Sequence, residues 1–248
     1  MLAELKIKLE GDSKELNCYH SSNLQGVLME HINSEYASLL HHQKINPYSQ
    51  FLNYDKGYCW IIHTMTEEAY KEIILPILSP DFTSFDIKKK GIHAEIKDKE
   101  LKILPKRSLL EEFYSSDSRE PFYTFEFRTP TAFKQNGRYV NYPDIRLLFQ
   151  SLMNKYSINS DMDMFDNETL EQLTKCISLS RYQLHSAYFP LEGIKIPAFM
   201  GYITIHIHGS KTMANYVKLL LRFGEYSGIG IKTAMGMGAI RIKEKEKV

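Results

Sequence analysis

The stretch Gly228-Ile-Gly230-Ile-Lys-Thr-Ala-Met-Gly236-Met-Gly238 runs directly into the alternating segment Ala239-Ile-Arg-Ile-Lys243 near the C-terminus. The alternation predicts a β-strand, and the glycine pairs predict a tight loop before it. Glycine reaches positive φ at little cost and lets another backbone or a ligand approach closely. We therefore predict a loop that binds phosphate oxygens through its amides, with Lys232 and Thr233 as further contacts. The alternative is a plain helix-to-strand turn, for which one or two glycines suffice.

The order of elements around this loop argues against nucleotide hydrolysis. A Walker loop lies between a strand and the helix that it opens, and it reads GxxxxGK[ST]. The present loop comes after its predicted helix and lacks that string.

Composition indicates an ordinary globular protein. The 248 residues are 43% hydrophobic and 25% charged, which suits one large domain or two small ones. No apolar stretch approaches the roughly 18 residues of a membrane-spanning helix, and the first residues lack a signal-peptide core. Cys18, Cys59 and Cys176 are too few and too scattered for a disulfide framework or a zinc site. We expect a cytoplasmic protein with no membrane segment.

The charge balance excludes a global basic field. The net charge is only +1, which argues against indiscriminate nucleic-acid binding, because such binding depends on many phosphate contacts. A local basic cleft on a mixed surface stays compatible with this composition. The sixteen tyrosines and thirteen phenylalanines offer stacking partners for bases, although most aromatic side chains in any domain belong to the core.

Periodicity in the first half predicts strand, helix, strand, helix and hairpin. The first helix carries apolar side chains at helical spacing between Leu24 and Leu40, after N-cap candidates at Ser21, Ser22 and Asn23. The other predicted elements are a strand at 2–9, a strand at 58–65, a helix from Thr66 to about Leu78, and a hairpin at 85–96 that turns at Gly91.

The polar stretch Ser115–Pro121 is the predicted domain boundary, and the pattern restarts after it. The elements predicted there are a strand at 122–128, an Asn136-Gly137 turn, a helix from Asp144, a short helix near Leu170, a strand at 201–208 and a helix at 211–223 ended by Gly224. Strand-helix-strand modules used twice predict an α+β protein of two tandem ferredoxin-like (RRM-like) domains, 1–118 and 119–248, with the glycine-rich loop in the second.

The predicted strand Gly201–His208 places its isoleucines on one face and Tyr202, Thr204, His206 and His208 on the other. An open polar face of this kind is typical of RNA-recognition sheets. His206 and His208 suggest metal binding as an alternative, but no carboxylate or cysteine lies near them in sequence.

The glycine-rich loop before the last strand resembles the signature of the RAMP superfamily, proteins of CRISPR systems built from RRM-like domains. Two further stretches resemble the members that process precursor CRISPR RNA. One is Leu24-Gln-Gly-Val-Leu28 followed by Ser38-Leu-Leu-His41-His-Gln-Lys44-Ile-Asn-Pro47-Tyr-Ser49. The other is Phe127-Arg-Thr-Pro130-Thr-Ala-Phe133. These stretches occur in the family's order, from residue 24 to residue 241.

The resemblance implies two ferredoxin-like domains and metal-independent cleavage at one site in each CRISPR repeat, with no metal or cofactor. Cleavage of this kind needs a base for the ribose 2′-hydroxyl, an acid for the leaving 5′-oxygen and positive charge for the phosphorane. His41 and His42 compete for the acid role, and His41 is preferred because it follows Leu39-Leu40 as the family histidine follows its leucine. Lys44 would stabilise the phosphorane.

One departure from the family limits the transfer of roles. Archaeal members carry an auxiliary catalytic tyrosine one turn after the Leu-Gln-Gly element, and Met29 stands there in this chain. The base that deprotonates the 2′-hydroxyl is therefore not assigned, and Tyr48, Tyr36 and His31 are expected to pack in the core.

The predicted partner is CRISPR repeat RNA, both precursor and processed guide. Its contacts would be the loop glycines with Lys232 and Thr233, and the basic residues Arg128, Lys134 and Arg138 in and after the Thr-Pro-Thr strand. The alternative function is a non-catalytic RAMP-type subunit that holds RNA in an effector complex with other CRISPR proteins. Either a monomer or a homodimer is compatible with the sequence.

Overall fold

The computed structural model describes residues 1–10, 16, 18–54, 57–115, 120–160 and 166–243. Two compact units emerge, Met1–Leu104 with Lys232–Gly236, and Pro105–Ile231 with Met237–Val248. The predicted boundary at 118/119 lies outside the described residues, and the two units divide at Leu104/Pro105. The reason is the helix at Lys106–Ser115, which contacts the last helix of the second unit: Asn215 Nδ2 donates to the carbonyl of Phe113 at 3.0 Å.

The first unit is a five-stranded antiparallel sheet with helices against it. Its strands follow the order β2-β3-β1-β5-β4, and β1, β2, β3 and β5 with the intervening helices give the βαββαβ connection of a ferredoxin-like fold. The strands are β1 (Leu2–Leu9), β2 (Tyr48–Tyr54), β3 (Tyr58–Thr64), β4 (Ser84–Ile87) and β5 (Ile92–Leu104). The helices are α1 (Ser21–His31), α2 (Ser34–His42), α3 (Glu67–Ala69) and α4 (Leu75–Leu78), the last two joined by a π turn at Tyr70–Ile74.

One face of this sheet carries the core of the first unit. Leu5 and Ile7 of β1 lie in register with Ile62 and Trp60 of β3, so the alternation of the strands puts all four on the same face. They pack with Leu24 of α1 in one buried cluster.

The second unit repeats the plan with a four-stranded sheet of order β11-β6-β10-β9. Its main strands are β6 (Phe122–Thr131), β9 (Ile177–Leu191), β10 (Ile194–Ile207) and β11 (Ile240–Ile242), and β7 (Phe133–Gln135) pairs with β8 (Arg138–Val140) in a separate ribbon. The helices are α5 (Lys106–Ser115), α6 (Ile145–Asn159), α7 (Asn167–Cys176) and α8 (Lys211–Ser227). The predicted α+β class and tandem ferredoxin-like fold are confirmed.

Two predicted helices differ from the structure. The helix predicted from Leu24 to Leu40 is two helices, because Asn33 caps a new one by accepting hydrogen bonds from the amides of Glu35 and Tyr36. The last helix does not end at Gly224 but runs to Ser227. Gly224 lies inside this helix, and the residue there is glycine because a Cβ would come within 3.0 Å of Leu152 on α6.

No described helix is long and apolar enough to cross a membrane.

Candidate active site

The predicted catalytic histidines occupy the last turn of α2. Asn33 caps the helix, and Tyr36 and Leu40 anchor it in the core. His41 and His42 follow Leu40 directly, and both imidazoles are exposed. Among the residues that the structure describes, neither ring has a hydrogen-bond partner, so both can reach a ligand in solution.

Lys44 lies two residues past the end of α2, in the short loop that leads into β2, and its side chain is exposed. Met29, at the position where the resemblance implied a tyrosine, is half-buried and packs against the core of the first unit. The departure from the family pattern is thus accommodated by apolar packing.

The tyrosines near the histidines are packing residues, as predicted. Tyr36 is buried, and desolvation raises its pKa, with the carboxylates of Glu68 and Glu72 adding to the effect. Burial raises the pKa of Tyr48 to about 12, an increase that the nearby Gln25 side chain opposes. Both phenols stay neutral at physiological pH. The expectation that His31 lies in the core is wrong, since its ring is exposed and packs edge-on against Phe82 at 4.8 Å between centroids.

All four glycines of the C-terminal loop adopt positive φ, as the sequence predicted. The values are +64° at Gly228, +79° at Gly230, +105° at Gly236 and +72° at Gly238. Lys232 joins them at +57°, in the left-handed region that side chains rarely enter. The loop is therefore held in a conformation that an ordinary sequence would resist.

The close approach that these glycines allow is to the protein's own chain. A Cβ on Gly230 would lie within 3.0 Å of the Ala132 carbonyl, and one on Gly236 would lie within 3.0 Å of the Ser21 side chain. Gly228, Gly236 and Gly238 are buried. Packing thus accounts for Gly230 and Gly236. In the middle of the loop, the side chain of Lys232 is exposed and that of Thr233 is half-buried.

Most amides of the loop already donate hydrogen bonds within the chain. Those with a partner are Gly228, Ile229, Gly230, Ile231, Met235, Gly236, Gly238 and Ala239. These eight amides are accordingly not available for the phosphate contacts that the sequence predicted.

Lys155 is a buried lysine that sequence reasoning missed. It lies on α6, and its ammonium donates to the carbonyls of Ser227 at 3.3 Å and Gly228 at 3.0 Å, where α8 ends and the loop begins. Complete burial lowers the pKa of Lys155 to about 7. A signal was present, because Lys155 falls seven residues after Leu148 and three after Leu152, on the apolar stripe of the helix.

The predicted stem-binding residues all belong to the second unit. Arg128 is half-buried on β6, whereas Lys134 on β7 and Arg138 on β8 are exposed at neighbouring positions of the ribbon. The ammonium of Lys134 lies 5.8 Å from the centre of the Tyr139 ring, a cation–π arrangement that also places an aromatic face at the surface.

The structure groups the predicted site residues by unit. His41, His42 and Lys44 share the first unit with Lys232, Thr233 and Gly236. The second unit holds Gly228, Gly230, Gly238, Arg128, Lys134 and Arg138. Within the described ranges, no group of three or more His, Cys, Asp or Glu side chains comes together to hold a metal ion.

Comparison with solved structures defines the fold class first. A Cas6 product complex matches with a TM-score of 0.78 at 20% identity, covering 98% of this chain and 99% of that one. Cas6 of Thermus thermophilus matches with a TM-score of 0.73 at 19% identity, covering 98% of each chain. The architecture therefore places the chain in the class of tandem ferredoxin-like proteins.

Sequence relatives then identify the family. The family model of the CRISPR-associated endoribonuclease Cas6 matches residues 125–240. An endoribonuclease of this name from Streptococcus thermophilus is 35% identical over 235 residues, covering 89% of this chain and 90% of the relative. One from Mycobacterium tuberculosis is 39% identical over 223 residues, covering 89% and 71%. The chain belongs to the CRISPR-associated endoribonuclease Cas6 family.

Proposed function

We propose that the protein is a metal-independent endoribonuclease that cuts precursor CRISPR RNA within its repeats and so produces guide RNAs for antiviral defence. The 2′-hydroxyl before the cut attacks the adjacent phosphate, which leaves a 2′,3′-cyclic phosphate and a 5′-hydroxyl. The observation that supports this most is the exposed pair His41 and His42, which lies in the same compact unit as the exposed Lys232 of the glycine-rich loop.

Protonation of the leaving group, stabilisation of the phosphorane and RNA binding each have a candidate side chain. His41 donates a proton to the leaving 5′-oxygen, a role that suits imidazole because it exchanges protons near neutral pH. Lys44 supplies positive charge to the phosphorane. Lys232 and Thr233 bind backbone phosphate, and Lys134 and Arg138 grip the repeat stem together with Arg128. In-line placement of the 2′-hydroxyl contributes to the rate without a dedicated base.

The test is cleavage of a cognate repeat RNA in the presence of EDTA, beside the same RNA with a single 2′-deoxyribose at the cut. We expect the all-ribose RNA to be cut and the 2′-deoxy RNA to survive, because removal of the nucleophile leaves binding intact. The products should carry a 2′,3′-cyclic phosphate, which mass spectrometry distinguishes from a linear phosphate by the mass of one water.

Three other outcomes would contradict the proposal in different ways. Tight binding with no cleavage of either RNA would favour the non-catalytic subunit that holds guide RNA in an effector complex. Cleavage that EDTA abolishes would show a metal-dependent phosphodiesterase. Cleavage of the 2′-deoxy RNA would exclude the 2′-hydroxyl as nucleophile.

A further inference from the structure

The buried side chain of Gln50 on β2 makes three hydrogen bonds, two through its amide nitrogen and one through its oxygen. Its Nε2 donates to the carbonyl of Ser21 at 2.7 Å and to that of Ala234 at 3.1 Å, and its Oε1 accepts from Trp60 Nε1 at 3.0 Å. Indole can only donate and carbonyls can only accept, so these partners fix the orientation of the amide. The side chain of Gln50 thus links the start of α1 and Trp60 of β3 to Ala234, which lies 184 positions further along the chain.

The segment Lys232–Gly236 rests on the first unit at two points beside Gln50. Ala234 is buried in the core of that unit, and its carbonyl accepts a hydrogen bond from Gln50 Nε2. Gly236 packs so closely against Ser21 that a Cβ would not fit between them. The hydroxyl of Ser21 accepts a hydrogen bond from the amide of Leu52 at 3.0 Å. The exposed side chain of Lys232 therefore projects from a segment whose anchor, Ala234, lies only two residues further on.

We propose that Gln50 is a positioning residue for RNA binding: it fixes Lys232 and Thr233 where they contact phosphate and does not itself touch RNA. The inference rests on the proposed function for the identity of the ligand. Without Gln50, the carbonyl of Ala234 loses its buried donor, which weakens the hold on the segment that carries Lys232 in its left-handed conformation.

The decisive variant is Gln50→Glu. It keeps the size of the side chain and an acceptor for Trp60, but it replaces the two N–H donors that face the two carbonyls with an oxygen, which offers at most one O–H donor when protonated. Trp60→Phe is the matched control, because it removes the indole donor from the same network and leaves both donor bonds of Gln50 in place. Should Gln50→Glu not fold, Gln50→Met is measured instead, since it removes the donor without adding charge.

Two measurements on the full chain test the proposal. Hydrogen–deuterium exchange without RNA should be faster at residues 232–236 in Gln50→Glu and unchanged there in Trp60→Phe. Binding of repeat RNA should weaken by about 5- to 30-fold in Gln50→Glu, the factor for one lost buried hydrogen bond. The cleavage rate at saturating enzyme should fall by less than the affinity, which a general loss of structure would not produce.

The outcomes separate this inference from the proposed function. Unchanged exchange at 232–236, or faster exchange with undiminished RNA binding, overturns the positioning role. Equal weakening by Trp60→Phe also overturns it, because the effect would then come from the core and not from the anchor. If the wild-type protein binds no repeat RNA, the proposed function fails together with the RNA-binding part of the inference, and exchange still decides whether Gln50 holds the segment.

Discussion

Two adjacent histidines at the end of one short helix present a choice between His41 and His42. They are exposed alike, and successive side chains of a helix point about 100° apart, so only one is expected to face the scissile phosphate. We expect His41→Ala to reduce the single-turnover cleavage rate by about 10²- to 10⁴-fold, the usual contribution of a general acid. RNA affinity should be unchanged, because the substitution removes no phosphate contact.

His42→Ala is the matched control for that experiment. It removes the same ring from the neighbouring position, and we expect its cleavage rate to stay within a few-fold of wild type. A large loss in His42→Ala alone would transfer the acid role to His42. Wild-type cleavage by both single variants and by the double variant would remove imidazole from the reaction altogether.

The ribbon formed by β7 and β8 carries a prediction at the scale of an element. Lys134 and Arg138 lie on its two strands and are both exposed. If each neutralises one RNA phosphate, replacing both with alanine should reduce the slope of log K against log salt by about 1.4 to 1.8, since one contact contributes about 0.7 to 0.9. Affinities for a repeat RNA measured between 50 and 300 mM salt, roughly the range in which such contacts respond, give the slope.

Lys89→Ala with Lys90→Ala provides the control, because these lysines are exposed on the hairpin turn of the first unit. That pair should leave the slope unchanged. An equal decrease in both double variants would mean that the RNA senses overall charge and not the ribbon.

Elements with strong local signals were predictable, and those that depend on tertiary contacts were not. The strand at Tyr58–Thr64 follows from its run rich in aromatic and β-branched residues, and the Asn136-Gly137 turn follows from turn chemistry. The prediction that the helix ends at Gly224 was wrong. Glycine is required at this position because Leu152 of another helix approaches too closely for a Cβ, and the sequence shows no sign of that contact. β2 was missed for a related reason: Tyr48–Leu52 is buried throughout and shows no alternation.

At the scale of the whole molecule, a short segment from near the C-terminus belongs to the first unit, and no local sequence pattern reveals this. The sequence placed the entire glycine-rich loop in the second domain, whereas Lys232–Gly236 belongs to the first. The hydrogen bond between Gln50 and Ala234 is one of the contacts that join this segment to the first unit. A pairing of residues so far apart leaves no trace in periodicity. The phosphate-binding role of Lys232 and the catalytic role of His41 stay predictions.

Acid stability is a property of the whole fold that Glu4 should control in part. Its carboxylate accepts from His63 Nε2 at 3.0 Å and lies 3.5 Å from the ammonium of Lys102, so it links β1 to both neighbouring strands. The hydrogen bond from His63 is the main cause that lowers the pKa of Glu4 to about 2, against partial desolvation, which raises it.

The sign of the pH dependence follows from that lowered pKa. A carboxyl group with a depressed pKa stabilises the fold while it is ionised, so its contribution is complete above its ordinary value of 4.5 and is lost as the pH falls toward 2. We expect Glu4→Gln to be less stable than wild type by about 1 kcal/mol at pH 6, after allowance for solvent screening. The difference should shrink as the pH approaches 3. Urea unfolding at pH 6, 4.5 and 3 measures it.

Glu95→Gln is the control for this series, because Glu95 is an exposed carboxylate on β5 of the same sheet. Its stability relative to wild type should not change with pH, and subtracting the two series removes the acid groups that all three proteins share. A gap between Glu4→Gln and wild type that is as large at pH 3 as at pH 6 would show that size and hydrogen bonding, not charge, make Glu4 important. A shrinking gap would establish that the charge on β1 holds the three strands together.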